Sequence, residues 1–244
     1  MIYFVADIHL GAGAIEEQKR VESSFLRFLH DIEGDASVLV LMGDIFDFWF
    51  EYKEVVPKGF VRVLGRLAEL CDKGVRVIML TGNHDMWVGD YLSKECGIEL
   101  YTKPQIFSLA GKRLFVAHGD NMNIGKQPIL RLMNKMFRSK GLRKCVSRIV
   151  HPDTFIRFGK WWSGKSRKAH YTPQSGEVLQ PLIDYATEFS RGEEDIDYYL
   201  FGHMHYISDE CREPRIFFLG DWHTQPNYLV LNDEGEMILN KYNK

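Results

Sequence analysis

Cysteine is scarce in this chain: Cys71, Cys96, Cys145 and Cys211 are its only four, and none stands at a paired spacing. That argues against both a disulfide framework and a thiolate zinc knuckle, and makes a reducing, cytoplasmic setting the expectation. Long apolar runs are missing too. No stretch approaches the roughly 18 residues of a membrane span. The apolar opening at 2–6 meets Asp7 too early for a signal peptide. Any membrane contact is therefore expected to be peripheral. There is no internal repeat and no low-complexity tract.

Net charge is also nearly absent, at -2, but the balance hides an asymmetry. Residues 121–173 hold thirteen Lys and Arg against one acid, Asp153, a balance of +12, which leaves 18 basic and 32 acidic residues elsewhere, or -14. The basic segment carries Phe137, Phe155, Phe158, Trp161, Trp162 and Tyr171 and is too aromatic for a disordered tail. It reads as a folded insertion in a single domain spanning 1–244. With 45% hydrophobic and 26% charged residues, 244 residues suffice for one substantial core and leave little room for a second.

Outside the insertion, apolar runs at 2–6, 38–42 and 75–80 predict strands, and helical spacing at 25–32 and 60–71 predicts helices. Pro57 opens the second helix and Gly74 closes it. This alternation predicts parallel strands with crossover helices. Runs at 106–109, 113–117, 198–201, 215–219, 228–231 and 237–239 predict a more antiparallel second half. A two-sheet core flanked by helices accommodates both.

Polar groups able to bind metal follow these runs: Asp7 and His9, Asp44, Asn83, His118, and His203 and His205. A carboxylate or imidazole beside a buried strand needs a partner, and one pair of divalent cations would serve all seven. Asp7 and His9 are two apart, so continued extended geometry would point both the same way. Gly43 would let the backbone turn closely enough to set Asp44 between two ions. In 82–85 (GNHD), the Asn83 amide can bind metal, His84 can face substrate, and Asp85 can orient His84 by accepting its second N–H. Each group alone has an ordinary reading as a cap, turn or structural histidine; five in series point to one site. Mixed oxygen and imidazole donors suit Mn, Fe or Zn better than Ca.

These blocks resemble the calcineurin-like metallophosphoesterase superfamily, whose pattern runs D-x-H, GD, GNH, H and GHxH, and they match it over 1 to about 225. The resemblance implies an α/β, two-sheet metallophosphoesterase sandwich. It assigns Asp7, His9 and His205 to one metal, Asn83, His118 and His203 to the other, and Asp44 to both. Within the superfamily, 43–49 (GDIFDFW), 82–85 and 219–223 (LGDWH) look like the UDP-2,3-diacylglucosamine hydrolase family of lipid A biosynthesis, which also inserts a basic helical cap. The resemblance implies manganese and water attack on the α-phosphorus of UDP-2,3-diacylglucosamine. The products would be UMP and the diacylated sugar 1-phosphate, made at the inner face of the inner membrane.

His84 departs from the best-known branch of that family, which has Arg there, and no acidic pair follows Asp120 in 121–125. A sugar phosphate leaves as a stable anion, with a second pKa of about 6. His84 is therefore expected to stabilise phosphoryl charge rather than donate a proton, although general-acid work on another phosphoester stays open. Candidate substrate contacts are Asn83, His84, Ser163, Lys165, Arg167 and Lys168. Ile129, Leu132, Met133, Met136 and Phe137 have helical spacing that suits either packing or acyl chains. Cations with Trp and Phe suit an anionic membrane surface; nucleic acid is the rival, and the lipid reading expects none, nor an obligate protein partner. Glu51, Tyr52 and Lys53 could border the substrate or form a solvated loop, while Asp120 and His223 are either near-site groups or strand-end hydrogen bonders.

Overall fold

A computed structural model gives the structure of the chain and describes residues 1–122, 132, 135–170, 176–192 and 195–243, without side chains at 140, 166–170 and 176. Strands β1 (Ile2–Val5), β2 (Val38–Met42), β3 (Arg76–Leu80) and β4 (Glu99–Tyr101) lie parallel, and β10 (Asn227–Leu231) and β11 (Met237–Lys241) extend that sheet antiparallel beside β1. The period of two in a strand divides their side chains between two cores. Tyr3, Val5, Leu39, Leu41, Val77 and Met79 face helices α1 (Ile15–Asp31), α2 (Val61–Asp72) and α3 (Tyr91–Cys96). Phe4, Val40, Met42, Ile78 and Leu80 face the other way, onto a second sheet. Both faces being buried explains why β1 and β2 are apolar throughout.

The second sheet has the order β5 (Gln105–Leu109), β6 (Lys112–Ala117), β7 (Tyr198–Phe201), β9 (Ile216–Phe218), β8 (Ser208–Glu210). Leu114, Val116, Leu200 and Phe217 meet the first sheet, while Phe115, Tyr199, Phe201 and Phe218 meet helix α6 (Gln180–Ser190) through Leu182, Ile183 and Ala186. The layers therefore run helices, sheet, sheet, helix, an α/β sandwich. Its central strands β6, β7 and β9 are parallel. The second half is nonetheless the more antiparallel one, as expected from sequence, through the pairings of β5 with β6, β8 with β9, and β10 with β1 and β11. Parallel neighbours need long crossovers; the chain from β6 to β7 and that from β7 to β9 both supply one, and short antiparallel pairings are left to the edges.

Helix α1 begins well before the predicted start at 25, because its first turns carry Glu16, Glu17, Gln18, Lys19 and Arg20 with no apolar stripe to reveal them. Its buried face, Val21, Phe25, Phe28 and Leu29, follows the spacing of one helical side. Each such side chain contributes roughly 1.5–3 kcal/mol on burial. Within the basic segment, α4 (Lys140–Ile149) and α5 (Pro152–His170) lie between β6 and α6. Among the described residues no helix is long and apolar enough to cross a membrane. All four cysteines are free thiols.

Candidate metal centre

The loops after β1 and β2 continue the parallel pairing of those strands. The Asp7 amide donates to the Gly43 carbonyl (3.1 Å), His9 to Asp44 (2.9 Å) and Leu10 to Ile45 (2.9 Å), which holds Asp7, His9 and Asp44 side by side. They are not extended, as the sequence reading had supposed. Asp7 (φ 52°), His9 (φ 48°), Asp44 (φ 52°), His203 (φ 68°) and His205 (φ 52°) all occupy the left-handed region. For residues with a Cβ that conformation costs about 1–2 kcal/mol each. Only two other described non-glycine residues share it, Phe60 and Ala110, so backbone strain is concentrated on the candidate ligands.

The ligand atoms form overlapping groups, each within 4.8 Å: Asp7, His9 and His205; Asp44, His118 and His203; and His9, Asp44 and His84. Asp44 Oδ2 lies between the first two groups, 3.8 Å from His9 Nε2 and 3.3 Å from His118 Nε2. Asn83 Oδ1 is 3.3 Å from the same His118 nitrogen. On its far side, His118 Nδ1 donates to the Met42 carbonyl (3.0 Å), which leaves Nε2 as the ligating atom. Asp44 Oδ1 takes the His84 amide (2.8 Å), and Asp7 Oδ2 takes that of His203 (2.8 Å). Glycines permit this crowding. A Cβ on Gly82 would fall 2.1 Å from Asp44 Oδ1, and one on Gly43, itself at φ 93°, 2.6 Å from His118 Nδ1.

Electrostatics in this pocket call for positive charge. Burial opposes charge on Asp44, yet His118, His84 and His9 hold its carboxyl well below the usual range. Burial by itself would lower His118, and Asp44 outweighs it and pushes the imidazole up to about 10. His205 is likewise raised, burial opposing and Asp7 prevailing. Asp7 Oδ1 is buried without a hydrogen bond to a described residue, and the Nε2 atoms of His9 and His205 approach to 3.1 Å. Buried carboxylate oxygens and converging imidazoles fit a pair of divalent cations.

Asp85 does not orient His84, contrary to the expectation from sequence. Its oxygens accept the amides of Ile45 (2.8 Å) and Gly82 (2.7 Å), fastening the two metal loops together. Burial, then the charge of Asp44, push the Asp85 carboxyl up to about 7. His84 is held instead by Asp47 and Ser163: its Nδ1 is 2.9 Å from the Asp47 carbonyl and 2.7 Å from Ser163 Oγ. Asp47, 4% exposed, is the residue that sequence reasoning missed. Its place within GDIFDFW, three residues past Asp44, was the available signal.

A groove of about 470 Å3, open to solvent, reaches the centre at Asn83 and His84 and is walled by Phe48, Met86, Trp87, Phe137, Phe158 and Trp162. On the His118 side lies a smaller pocket of about 290 Å3 with Thr81, Thr102, Lys103, Asn121 and Arg138. Lys165 lines neither; its ammonium sits over the Trp161 ring, 4.3 Å from the centroid. The side chains of Arg167 and Lys168 fall outside the described residues, as do Ile129 and Met133. Leu132 and Met136 are exposed, and among the described residues of that stripe Phe137 meets the groove. Glu51 is buried rather than part of a solvated loop. It accepts Trp49 Nε1 (3.0 Å) and the Tyr91 amide (3.3 Å), and indole burial requires such a partner. His223 reaches the His9 carbonyl (3.2 Å) and Glu17 (2.9 Å), and Asp120 pairs with Arg138 (2.5 Å).

A two-sheet sandwich that gathers carboxylates, an amide and imidazoles around one shared Asp at its strand ends is the framework of a metal-dependent phosphoesterase. The chain belongs to the calcineurin-like phosphoesterase family, whose model matches residues 1–206. It is 35% identical to a UDP-2,3-diacylglucosamine hydrolase of Porphyromonas gingivalis, covering 94% of this chain and 93% of that one. Proteins of the same name from Neisseria meningitidis (27% identical, 98% of each chain) and Histophilus somni (25% identical, 96% of this chain and 97% of that) are also similar.

Proposed function

We propose that the chain hydrolyses the diphosphate of UDP-2,3-diacylglucosamine, releasing UMP and 2,3-diacylglucosamine 1-phosphate, with manganese as its metal. The observation that carries this reading is the apolar groove opening onto Asn83 and His84. A phosphoesterase for small polar esters has no use for six apolar walls beside its reactive groups, whereas a diacyl substrate does. The polar pocket beyond His118 suits the nucleotide half, so the two hollows match the two halves of one molecule. Relatives that match nearly all of this chain and are named UDP-2,3-diacylglucosamine hydrolase support the same substrate.

Two cations held by the seven ligands would activate water and neutralise phosphoryl oxygens. The protein's own part is to shape and orient. Asp44 is shared between the groups, His118 is fixed through Met42, and His84 presents Nε2 at 3.9 Å from Asp44 Oδ2, facing the centre. A departing sugar phosphate is stable as an anion, so His84 serves by stabilising phosphoryl charge. Phe137, Phe158 and Trp162, from the basic segment, act as a cap that supplies the groove's outer wall. Exposed Phe158, Trp161, Trp162 and Ile149 among basic side chains suit peripheral docking on the anionic inner face of the cytoplasmic membrane.

Incubation of manganese-loaded protein with UDP-2,3-diacylglucosamine in detergent tests the reading. UMP should appear, and heavy-oxygen water should label the UMP rather than the sugar phosphate. Absence of UMP alongside brisk hydrolysis of a model phosphodiester would overturn it in favour of a nucleotide or nucleic-acid phosphodiesterase. Binding to nucleic acid would then weaken steeply with salt.

A further inference from the structure

The chain crosses from β4, an edge of the first sheet, to β5, an edge of the second, through residues 102–104. Those residues, with the ends of β3 and β6, enclose the pocket of about 290 Å3 on the His118 side of the metal centre. Burial grades its lining: Leu80, Thr81 and Ala117 form the floor, while Thr102, Lys103 and Pro104 stand exposed at the rim. The volume falls at the lower end of the roughly 300–1,000 Å3 of small-molecule sites, a size for a nucleoside and not for a pair of acyl chains. Thr81 Oγ1 is buried on that floor without a hydrogen-bond partner among the described residues, and an unsatisfied buried hydroxyl is a group that a ligand can complete.

Arg138 ties this pocket to the rest of the site. It follows Phe137 in the basic segment, and the two neighbours line different hollows, Phe137 the apolar groove and Arg138 the polar pocket. A molecule lying across the metal centre therefore meets the same short stretch of chain on both sides. Arg138 donates to Asp120 Oδ2 (2.5 Å), which fixes the guanidinium and offsets its charge while most of its five N–H donors stay unused by described residues. The Lys103 ammonium at the rim has no hydrogen bond or ion pair with a described residue. A neutralised guanidinium and a solvated ammonium offer directed donors more than net charge. They suit a neutral ring bearing carbonyl oxygens better than a phosphate, whose charge the metal centre already meets.

We infer that this pocket is the nucleoside subsite and that Lys103 and Arg138 select uracil by donating to its two carbonyl oxygens. Both side chains can only donate. Cytosine carries an amino group, itself a donor, in place of one of those carbonyls, so it leaves one cation unpaired. The inference rests on the reading that the substrate is a uridine diphosphate lipid.

Calorimetric titration of the metal-loaded full chain with UMP, CMP and ribose 5-phosphate tests it. All three bring the same phosphate to the metals, so their differences isolate the base. UMP should bind about 10-fold tighter than CMP, and ribose 5-phosphate no better than CMP. Lys103→Met and Arg138→Met remove donors but keep an unbranched stem; each should erase the preference for UMP and leave ribose 5-phosphate binding unchanged. Lys103 is exposed, so its variant carries the test even if Arg138→Met, which also releases Asp120, disturbs the fold. Equal binding of UMP and CMP by the native chain overturns the inference. So does an equal loss of UMP and ribose 5-phosphate binding in Lys103→Met, which would make that lysine a phosphate contact. A chain that prefers UMP yet leaves UDP-2,3-diacylglucosamine intact would refute the lipid reading and keep the pocket, whereas release of UMP from the lipid without any preference for uracil would do the reverse.

Discussion

The Nε2 atoms of His9 and His205 face one another at 3.1 Å, with Asp7 Oδ1 3.8 Å from the first and 3.5 Å from the second. Two imidazole nitrogens this close repel unless a proton or a cation stands between them. His205→Ala should therefore lose about half of the bound metal by elemental analysis. Its activity should fall by more than the roughly 10- to 100-fold expected for an outer-shell partner. Full metal content in that variant would remove His205 from the ligand set.

Gly82→Ala probes the crowding around the shared carboxylate. Its Cβ would meet Asp44 Oδ1 at 2.1 Å, and the facing atoms belong to a strained loop and cannot move freely. Overpacking of this kind costs roughly 1–3 kcal/mol. Weaker metal binding by calorimetry should accompany a lowered melting temperature. A variant with native metal affinity would show that Asp44 has room to shift.

His84→Arg places a fixed positive charge at the groove mouth and removes any imidazole proton transfer. If His84 works by charge, the variant should retain metal and still cleave the diphosphate. Loss of all diphosphate cleavage with both metals bound would refute that role.

Phe28 lies at the centre of the helix-side core, with ring contacts to Tyr3 (6.1 Å), Trp222 (5.4 Å), Tyr228 (5.1 Å) and Tyr242 (5.5 Å). Phe28→Ala should destabilise the fold by roughly 3–5 kcal/mol. Urea unfolding reads this directly. Activity per folded molecule should change little, since Phe28 supplies no group to the centre.

Glu33 carries a pH-dependent share of stability. Lys73 and then Arg66 bond its carboxylate and hold it at about 2, against an ordinary 4.5. Because the folded value is the lower, the contribution is present in full above 4.5 and is lost as pH falls toward 2. Unfolding free energy measured across that window should decline more steeply in the native chain than in Glu33→Gln. Identical slopes would show that the pairing contributes nothing, a common result for exposed ion pairs.

The sequence by itself determined the reacting groups and the layers that carry them. Apolar runs buried on both faces mark parallel strands, and Asp, Asn and His just past their ends mark a shared centre, because neither signal depends on distant residues. It did not determine how those groups are held. Asp7 and His9 converge through left-handed backbone and pairing to the Asp44 loop, whereas local alternation implied extended chain. The parallel course of β6, β7 and β9 depends on crossovers whose path no local pattern records. Asp85, adjacent to His84 in sequence, turns away to bind Ile45 and Gly82. The partners of His84 come from Asp47, 37 residues upstream, and Ser163, 79 downstream. Only packing of α5 on the 44–50 loop brings them together, because hydrogen bonds are decided by proximity in space and the chain records proximity along itself.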